Sequence, residues 1–298
     1  MALQAQGAYL IVNADDYGYF RCVSKGILRA AAEGIVTATG VLSNATDFAE
    51  HAARLRECDA LDVGVHLNLT DGVPLTAKLR NGLSRGTGRF PGKFRMAGAI
   101  LAGIVKTEDV QHEWRAQIER CLDNGLPLRF LNSHEHLHML PSLFAVTRVL
   151  AKDYAIPHIR FPRSRLFGKS RSGSLFRGAV IKALESINRH HADTPSAQFL
   201  GLETSGKLDL PYLQRSLPRL RAGEIYELMC HPGEFDAREV TDTRLPRYHD
   251  WEGELAVLTS AAARALLDHH GIRLIGYRHL EVRGDRLAVR RETASAQH

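Results

Sequence analysis

Along almost the whole chain, short β-branched apolar runs alternate with longer amphipathic stretches. The runs at Tyr9 to Asn13, Thr37 to Leu42, Asp62 to Leu69 and Arg129 to Ser133 predict strands, and "PHIRF" from Pro157 predicts another. Apolar residues spaced three and four apart predict helices over Ser24 to Glu33, Phe48 to Arg56, Glu108 to Leu122 and Pro141 to Lys152, the last opened by its proline. Later come a basic helix near Leu175 to His190, a helix from Leu210 to Leu220, a strand from Glu224 to His231, a helix from Leu255 to His269 and a strand from Ile272 to Tyr277. Strands separated by helices predict a parallel sheet.

Seven or eight such units predict an α/β fold, an irregular TIM-barrel-like (β/α) barrel, with an open doubly wound sheet as its competitor. The polar residues favour the barrel. Asp15 and Asp16 follow the first strand, His66 lies near the end of the third, His134 follows the fourth, Arg160 ends the fifth and His231 ends a late one. Chemistry-bearing residues gathered at the C-terminal ends of several strands are what a barrel active site requires. The Gly-rich, basic stretch from Asp71 to Lys106 breaks the alternation and reads as a loop insertion over that face. With no internal repeat and no linker, residues 1–298 read as a single domain.

The 298 residues, 44% hydrophobic and 24% charged, suffice for a sizeable core and read as a soluble globular protein. The opening "MALQAQGAYLIVNADD" lacks a basic n-region and reads as a buried first strand rather than a signal peptide, so a cytoplasmic location is expected. Met96 to Val105 is about half the roughly 20 residues of a spanning helix; it reads as a short helix packed on the barrel, with a lipid-facing lid as the alternative. Four scattered cysteines without a CxxC pair read as buried thiols in a reducing compartment. The net charge of +6 is uneven: Arg160 to Leu184 holds seven Lys or Arg residues and no acid. That basic surface suits phosphorylated or lipid-linked substrates, an anionic membrane or RNA, but a merely solvated loop is the favoured reading. No nucleic-acid motif accompanies it.

The chemistry is concentrated in three short motifs. "VNADDYG" (Val12 to Gly18) ends an apolar strand in adjacent carboxylates, which repel each other unless a cation neutralises them; the ordinary use of such a pair is a turn or cap. In "VGVHLNLT" (Val63 to Thr70), strand alternation puts His66 and Asn68 on one face. In "NSHEHLHML" (Asn132 to Leu140), the same alternation, while the chain stays extended, places His134, His136 and His138 on one side. Three imidazoles on one face are poor core material, so a metal site leads over a histidine-rich turn. Two imidazoles and one carboxylate make an open site for Zn2+ or a similar divalent ion, and an unligated neighbouring carboxylate accepts a proton from water. His231, before a Pro-Gly turn in "ELMCHPGEF", suits protonation of a leaving amine and a structural role equally well.

Taken in order, "VNADDYG", "HLNLTDGVPLT" (His66 to Thr76), "SHEHLHMLP" (Ser133 to Pro141), "IRFPR" (Ile159 to Arg163) and "CHPGE" (Cys230 to Glu234) resemble the YdjC-like carbohydrate deacetylase family. That family groups ChbG-type chitooligosaccharide deacetylases with hopanoid-associated HpnK proteins. The resemblance implies an irregular (β/α) barrel that removes acetyl from an N-acetylated amino sugar with one divalent metal ion, Zn2+ first and Mg2+ or another ion as alternatives. It also implies Asp16, His66 and His134 as ligands, Asp15 as general base and His231 as general acid. His136, His138 and Arg160 are implied as supporting or substrate-contacting residues, and Asn68, beside His66, joins them. Tyr17 stands where phenylalanine is common and Asn132 where aspartate is frequent. The implied partner is an acetylated amino sugar, soluble or lipid-linked, with peripheral membrane contact and a homodimer as further options and no nucleic acid. A barrel metallophosphoesterase and a non-catalytic metal- or sugar-binding module are the rival readings.

Overall fold

The computed structural model describes residues 7–83, 87–164, 172–189, 195–284 and 286–290. Its main sheet contains β1 (Tyr9–Tyr17), β2 (Ala38–Val41), β3 (Asp62–Leu67), β4 (Leu128–Ser133), β5 (His158–Ile159), β6 (Arg163–Ser164), β7 (Gln198–Leu200) and β8 (Ile225–Cys230). The strand order is β5-β4-β3-β2-β1-β8-β7-β6, and a short β9 (Arg273–Leu274) pairs with the start of β1. Every pairing in this sheet is parallel.

The order itself shows that the sheet curls. β5 and β6 are its two edges, yet only Arg160, Phe161 and Pro162 separate them in the chain. Four residue steps span at most about 14 Å, whereas the edges of a flat eight-stranded sheet stand roughly 33 Å apart at the usual strand spacing. The connection therefore bends the sheet into a barrel left unpaired between β5 and β6. This is the irregular barrel expected from the sequence.

Side-chain alternation sorts each strand into an outer and an inner row. Leu10, Val12 and Ala14 of β1 join the large core between sheet and helices, while Ile11 faces a second cluster with Phe130, Ile225, Tyr277 and Leu280. The Tyr277 ring stacks on Phe130 at 4.1 Å. Leu287 and Val289 of the antiparallel hairpin β10 (Leu280–Arg283) and β11 (Arg286–Val289) pack on the same cluster. This apolar layer fills the barrel toward the strand N-termini and leaves the opposite end to polar groups.

Several predicted elements take a different form. The extended stretch of "NSHEHLHML" stops at Ser133: His134–Met139 is a 3-10 turn with Glu135 and His136 at positive φ, 56° and 57°. Alternation therefore does not carry the three histidines to one side. The segment 71–106 is no simple loop, since it contains helices Ala77–Leu83 and Lys93–Leu101. The predicted helix from Leu255 to His269 is two, Trp251–Leu258 and Ala261–His269; Ser260 breaks the run by capping the second, its side chain accepting from the Ala263 N–H. Of the basic stretch, residues 165–171 lie outside the described residues.

Candidate active site

The end of β1 explains how neighbouring carboxylates can both serve one site. The β1–β2 register shifts between Ala14 and Tyr17, and Asp16 adopts φ +73°. Such a kink re-aims a side chain that regular alternation would send to the far face, and non-glycine residues occupy it at a cost. Both carboxylates are buried, Asp15 and Asp16 at 2% exposure each.

Asp16 meets two imidazoles. Its Oδ1 lies 3.2 Å from His66 Nε2 and 2.8 Å from His134 Nδ1. The three donor atoms fall within 4.8 Å of one another, so this cluster can hold a metal ion. Burial pushes the Asp16 carboxyl up, but His134 and His66 outweigh it and hold the group well below its usual range. Burial alone would lower His134, yet the Asp16 charge raises it to about 9. Two nitrogens, one carboxylate oxygen and an approach from the strand ends make a donor set that fits a borderline divalent ion.

A cross-strand pair supports this cluster. His66 and Asn132 are register partners on β3 and β4, and His66 Nδ1 lies 2.8 Å from Asn132 Oδ1. A carbonyl oxygen only accepts, so Nδ1 carries the proton and Nε2 presents its lone pair toward Asp16. The same amide donates through Nδ2 to Asp15 Oδ1 at 3.1 Å. Gly40 of β2 makes room for the pair: a Cβ there would stand 3.0 Å from Asn132 Oδ1 and 3.1 Å from His66 Nδ1.

Asp15 faces a different partner. Arg160, fully buried after β5, donates to both Asp15 oxygens at 2.6 and 2.9 Å and to Glu227 Oε1 at 2.6 Å. Burial pushes the Asp15 carboxyl up, but the guanidinium outweighs it and holds the group well below the usual carboxylate range. Asp15 is therefore ionised at working pH and belongs to an Arg160–Glu227 clamp rather than to the Asp16 cluster.

His231 follows β8, one residue beyond the register pair Ala14 and Cys230, and so stands level with Asp15. It is buried, and its Nδ1 has no hydrogen-bond partner among the described residues. Its backbone N–H donates to Glu254 Oε2 at 2.5 Å. His249 lies beside it, ring centroids 5.3 Å apart, and stacks in parallel on Trp251 at 4.9 Å.

The remaining predicted residues part company. His138 is wholly buried; its Nε2 donates to the Arg160 carbonyl at 2.9 Å and its Nδ1 accepts from Ser133 Oγ at 2.7 Å, so it fastens the turn to β5. His136 is partly buried, edge-on to Phe199 at 5.8 Å. Asn68 caps its own loop: Oδ1 accepts from the backbone of Thr70 and Asp71, and Nδ2 donates to Asn44 and to the Asp71 carbonyl. The Tyr17 hydroxyl donates to the His51 carbonyl, which takes it into the helical layer rather than the site. Sequence reasoning missed Asn132 as a bridge, Glu227, Glu254 and His249. Glu227 left one signal, a carboxylate inside the apolar run "EIYELMCH".

The chain is similar to several known proteins. The chain is 31% identical over 271 residues to a carbohydrate deacetylase of Geobacillus stearothermophilus, covering 91% of this chain and 97% of that one. It is 34% identical over 273 residues to a chitooligosaccharide deacetylase of Klebsiella pneumoniae, covering 90% and 98%. A crystal structure of a proposed cellobiose-phosphate cleavage protein from Enterococcus faecalis superposes with a TM-score of 0.68 at 27% identity, over 91% and 98% of the two chains. The sequence model of the family described as YdjC-like protein matches residues 9–269, and the chain belongs to that family.

Proposed function

We propose that the protein is a metal-dependent carbohydrate N-deacetylase that hydrolyses the acetamide of an amino sugar to acetate and a free amine. The observation that carries this reading is the division of labour at the end of β1: Asp16 sits with His66 and His134, while Asp15 is held apart by Arg160. Relatives named carbohydrate deacetylase and chitooligosaccharide deacetylase support the substrate class. Asp16, His66 and His134 would hold one divalent ion, Zn2+ as first choice. Such an ion polarises the amide carbonyl and acidifies water.

The chain's own groups do the rest. Asp15, ionised and fixed by two hydrogen bonds from Arg160 and one each from Asn13 and Asn132, takes the proton of the attacking water. Asn132 orients both Asp15 and His66. His231 donates a proton to the departing sugar amine. Arg160 fixes the base, and His138 fixes Arg160's backbone. His136 and Asn68 are assigned to the walls and loop around the sugar. A metallophosphoesterase is less well supported, because among the described residues a single three-donor cluster forms, short of a two-metal set. A silent binding module would need neither Asp15 nor His231.

The test is acetate release by metal-stripped protein with and without Zn2+, Co2+, Ni2+ or Mg2+, on soluble N-acetylglucosaminides and one lipid-linked example. Metal-dependent acetate is expected. Asp15→Asn should abolish turnover with metal retained, whereas His134→Ala should lose both. Failure of every substrate with metal demonstrably bound would reject the reading.

A further inference from the structure

Glu254 is a buried carboxylate beside His231 that the proposed chemistry has not yet used. It lies in helix Trp251–Leu258 at 1% exposure. Its Oε2 accepts from the His231 N–H and its Oε1 from the Leu208 N–H at 3.1 Å. Oε1 is also 4.0 Å from His231 Nδ1, about 1 Å beyond a hydrogen bond, and Nδ1 has no other partner among the described residues. A buried nitrogen and a buried carboxylate oxygen thus lie 4.0 Å apart.

We infer that Glu254 holds the proton reserve for His231: the pair, rather than a preformed imidazolium, is the acid that releases the sugar amine. The inference rests on the deacetylase reading above. As the C–N bond breaks, its electron pair takes the proton from His231 Nε2, forming the amine N–H. At the same time Nδ1 takes the proton from the Glu254 carboxyl, whose O–H electrons stay on oxygen as carboxylate. No net charge is created on the imidazole, and Glu254 regains its proton from solvent between turnovers.

The surroundings favour this starting state. Around Glu254 are the Cys230 thiol at the end of β8 and His231 just after it, Asp250 capping its own helix, Asp16 of β1 and the Leu208 backbone. No Lys or Arg pairs with it among the described residues. Burial, aided by the Asp250 and Asp16 charges, pushes its carboxyl up to about 8 despite the two backbone donors. Burial likewise lowers His231, with Asp16 and Asp15 opposing. The proton pair starts from a protonated Glu254 beside a neutral His231, the arrangement that the unpartnered Nδ1 and the missing cationic partner favour. A carboxylic acid can donate to Nδ1 while still accepting both backbone bonds.

The test uses the metal-loaded enzyme and Glu254→Gln, which keeps the size but has no acid proton to give. Acetate release from an N-acetylglucosaminide should fall about 100-fold or more with KM and metal content unchanged. Hydrolysis of an aryl acetate, whose phenolate leaves without a proton, should change less than threefold. Equal loss on both substrates would mean a structural role, and no loss on either would mean none; each overturns the inference. Independently of any substrate, 15N NMR of the wild-type holoenzyme should find His231 protonated on Nε2 and bare on Nδ1, and the Nδ1–H tautomer would overturn it. Wild-type protein that shows the Nε2–H tautomer yet releases no acetate would reject the deacetylase reading while supporting the Glu254–His231 proton pair.

Discussion

His66 donates through Nδ1 to Asn132 Oδ1 at 2.8 Å, and that contact leaves Nε2 aimed at Asp16. The amide is neutral, so it fixes the tautomer without adding a charge beside Asp15, to which its Nδ2 donates. Asn132→Ala should lower metal affinity roughly 10- to 100-fold, the usual loss when a ligand imidazole is released from its outer partner. Asn132→Asp should retain affinity within a few-fold, because a carboxylate oxygen takes the same Nδ1–H. Metal titration of the two variants separates them.

The Arg160 clamp leads to a stability prediction. Arg160 is fully buried between Asp15 and Glu227, and its removal leaves two buried carboxylates without their cation. Arg160→Ala should destabilise the fold by about 3 to 5 kcal/mol, read from the urea midpoint. Glu227→Gln should cost far less. The amide oxygen of Gln can still accept from Arg160 Nε, so the guanidinium keeps a partner there and Asp15 keeps its cation.

How far the sequence anticipates this site depends on how regular the backbone is. Alternation on β3 put His66 on one face with Asn68, and the structure pairs His66 with Asn132 of β4. The same rule failed beyond Ser133, where positive φ at Glu135 and His136 turns the chain. It also could not foresee the Asp16 kink, which alone lets adjacent aspartates serve one site. Strands β6 and β7, two and three residues long, carry too few positions for any period to register. Glu254 and His249 stayed invisible because nothing in "HDWEGEL" distinguishes a helix start on the surface from one packed under a barrel strand's end.

His158 carries a pH prediction. Burial, with some help from Arg290, lowers its imidazole from 6.5 to about 4, so the unfolded chain binds this proton more readily than the folded one. The stability it contributes is fully present above pH 6.5 and is lost as pH falls toward 4. The difference amounts to at most about 3 kcal/mol for one such group. His158→Phe, replacing a ring that sits 5.8 Å from Tyr277, should flatten the stability profile in that window relative to wild type. Chelator-treated protein denatured at pH 7, 6, 5 and 4.5 measures this with metal release removed; parallel profiles would reject it.

The helix Lys93–Leu101 and the turn after it present Phe94, Leu101 and Ile104 at 81%, 73% and 77% exposure, while Met96, Ile100 and Val105 hold the segment to the core. Lys93 Nζ, 2.8 Å from Glu135 Oε1, ties this ridge to the turn that carries His134. Because the three exposed side chains are mostly solvated, Phe94→Ser, Leu101→Ser and Ile104→Ser together should shift stability by only about 0.5 kcal/mol per site or less. Acetate release from a soluble chitooligosaccharide should stay within twofold of wild type. A selective loss on an acetylated glycolipid presented in vesicles would assign the ridge to a lipid surface next to the site. Equal rates on both substrates would confine recognition to the sugar, and a loss on the soluble substrate would mean that the ridge positions the His134 turn through Lys93.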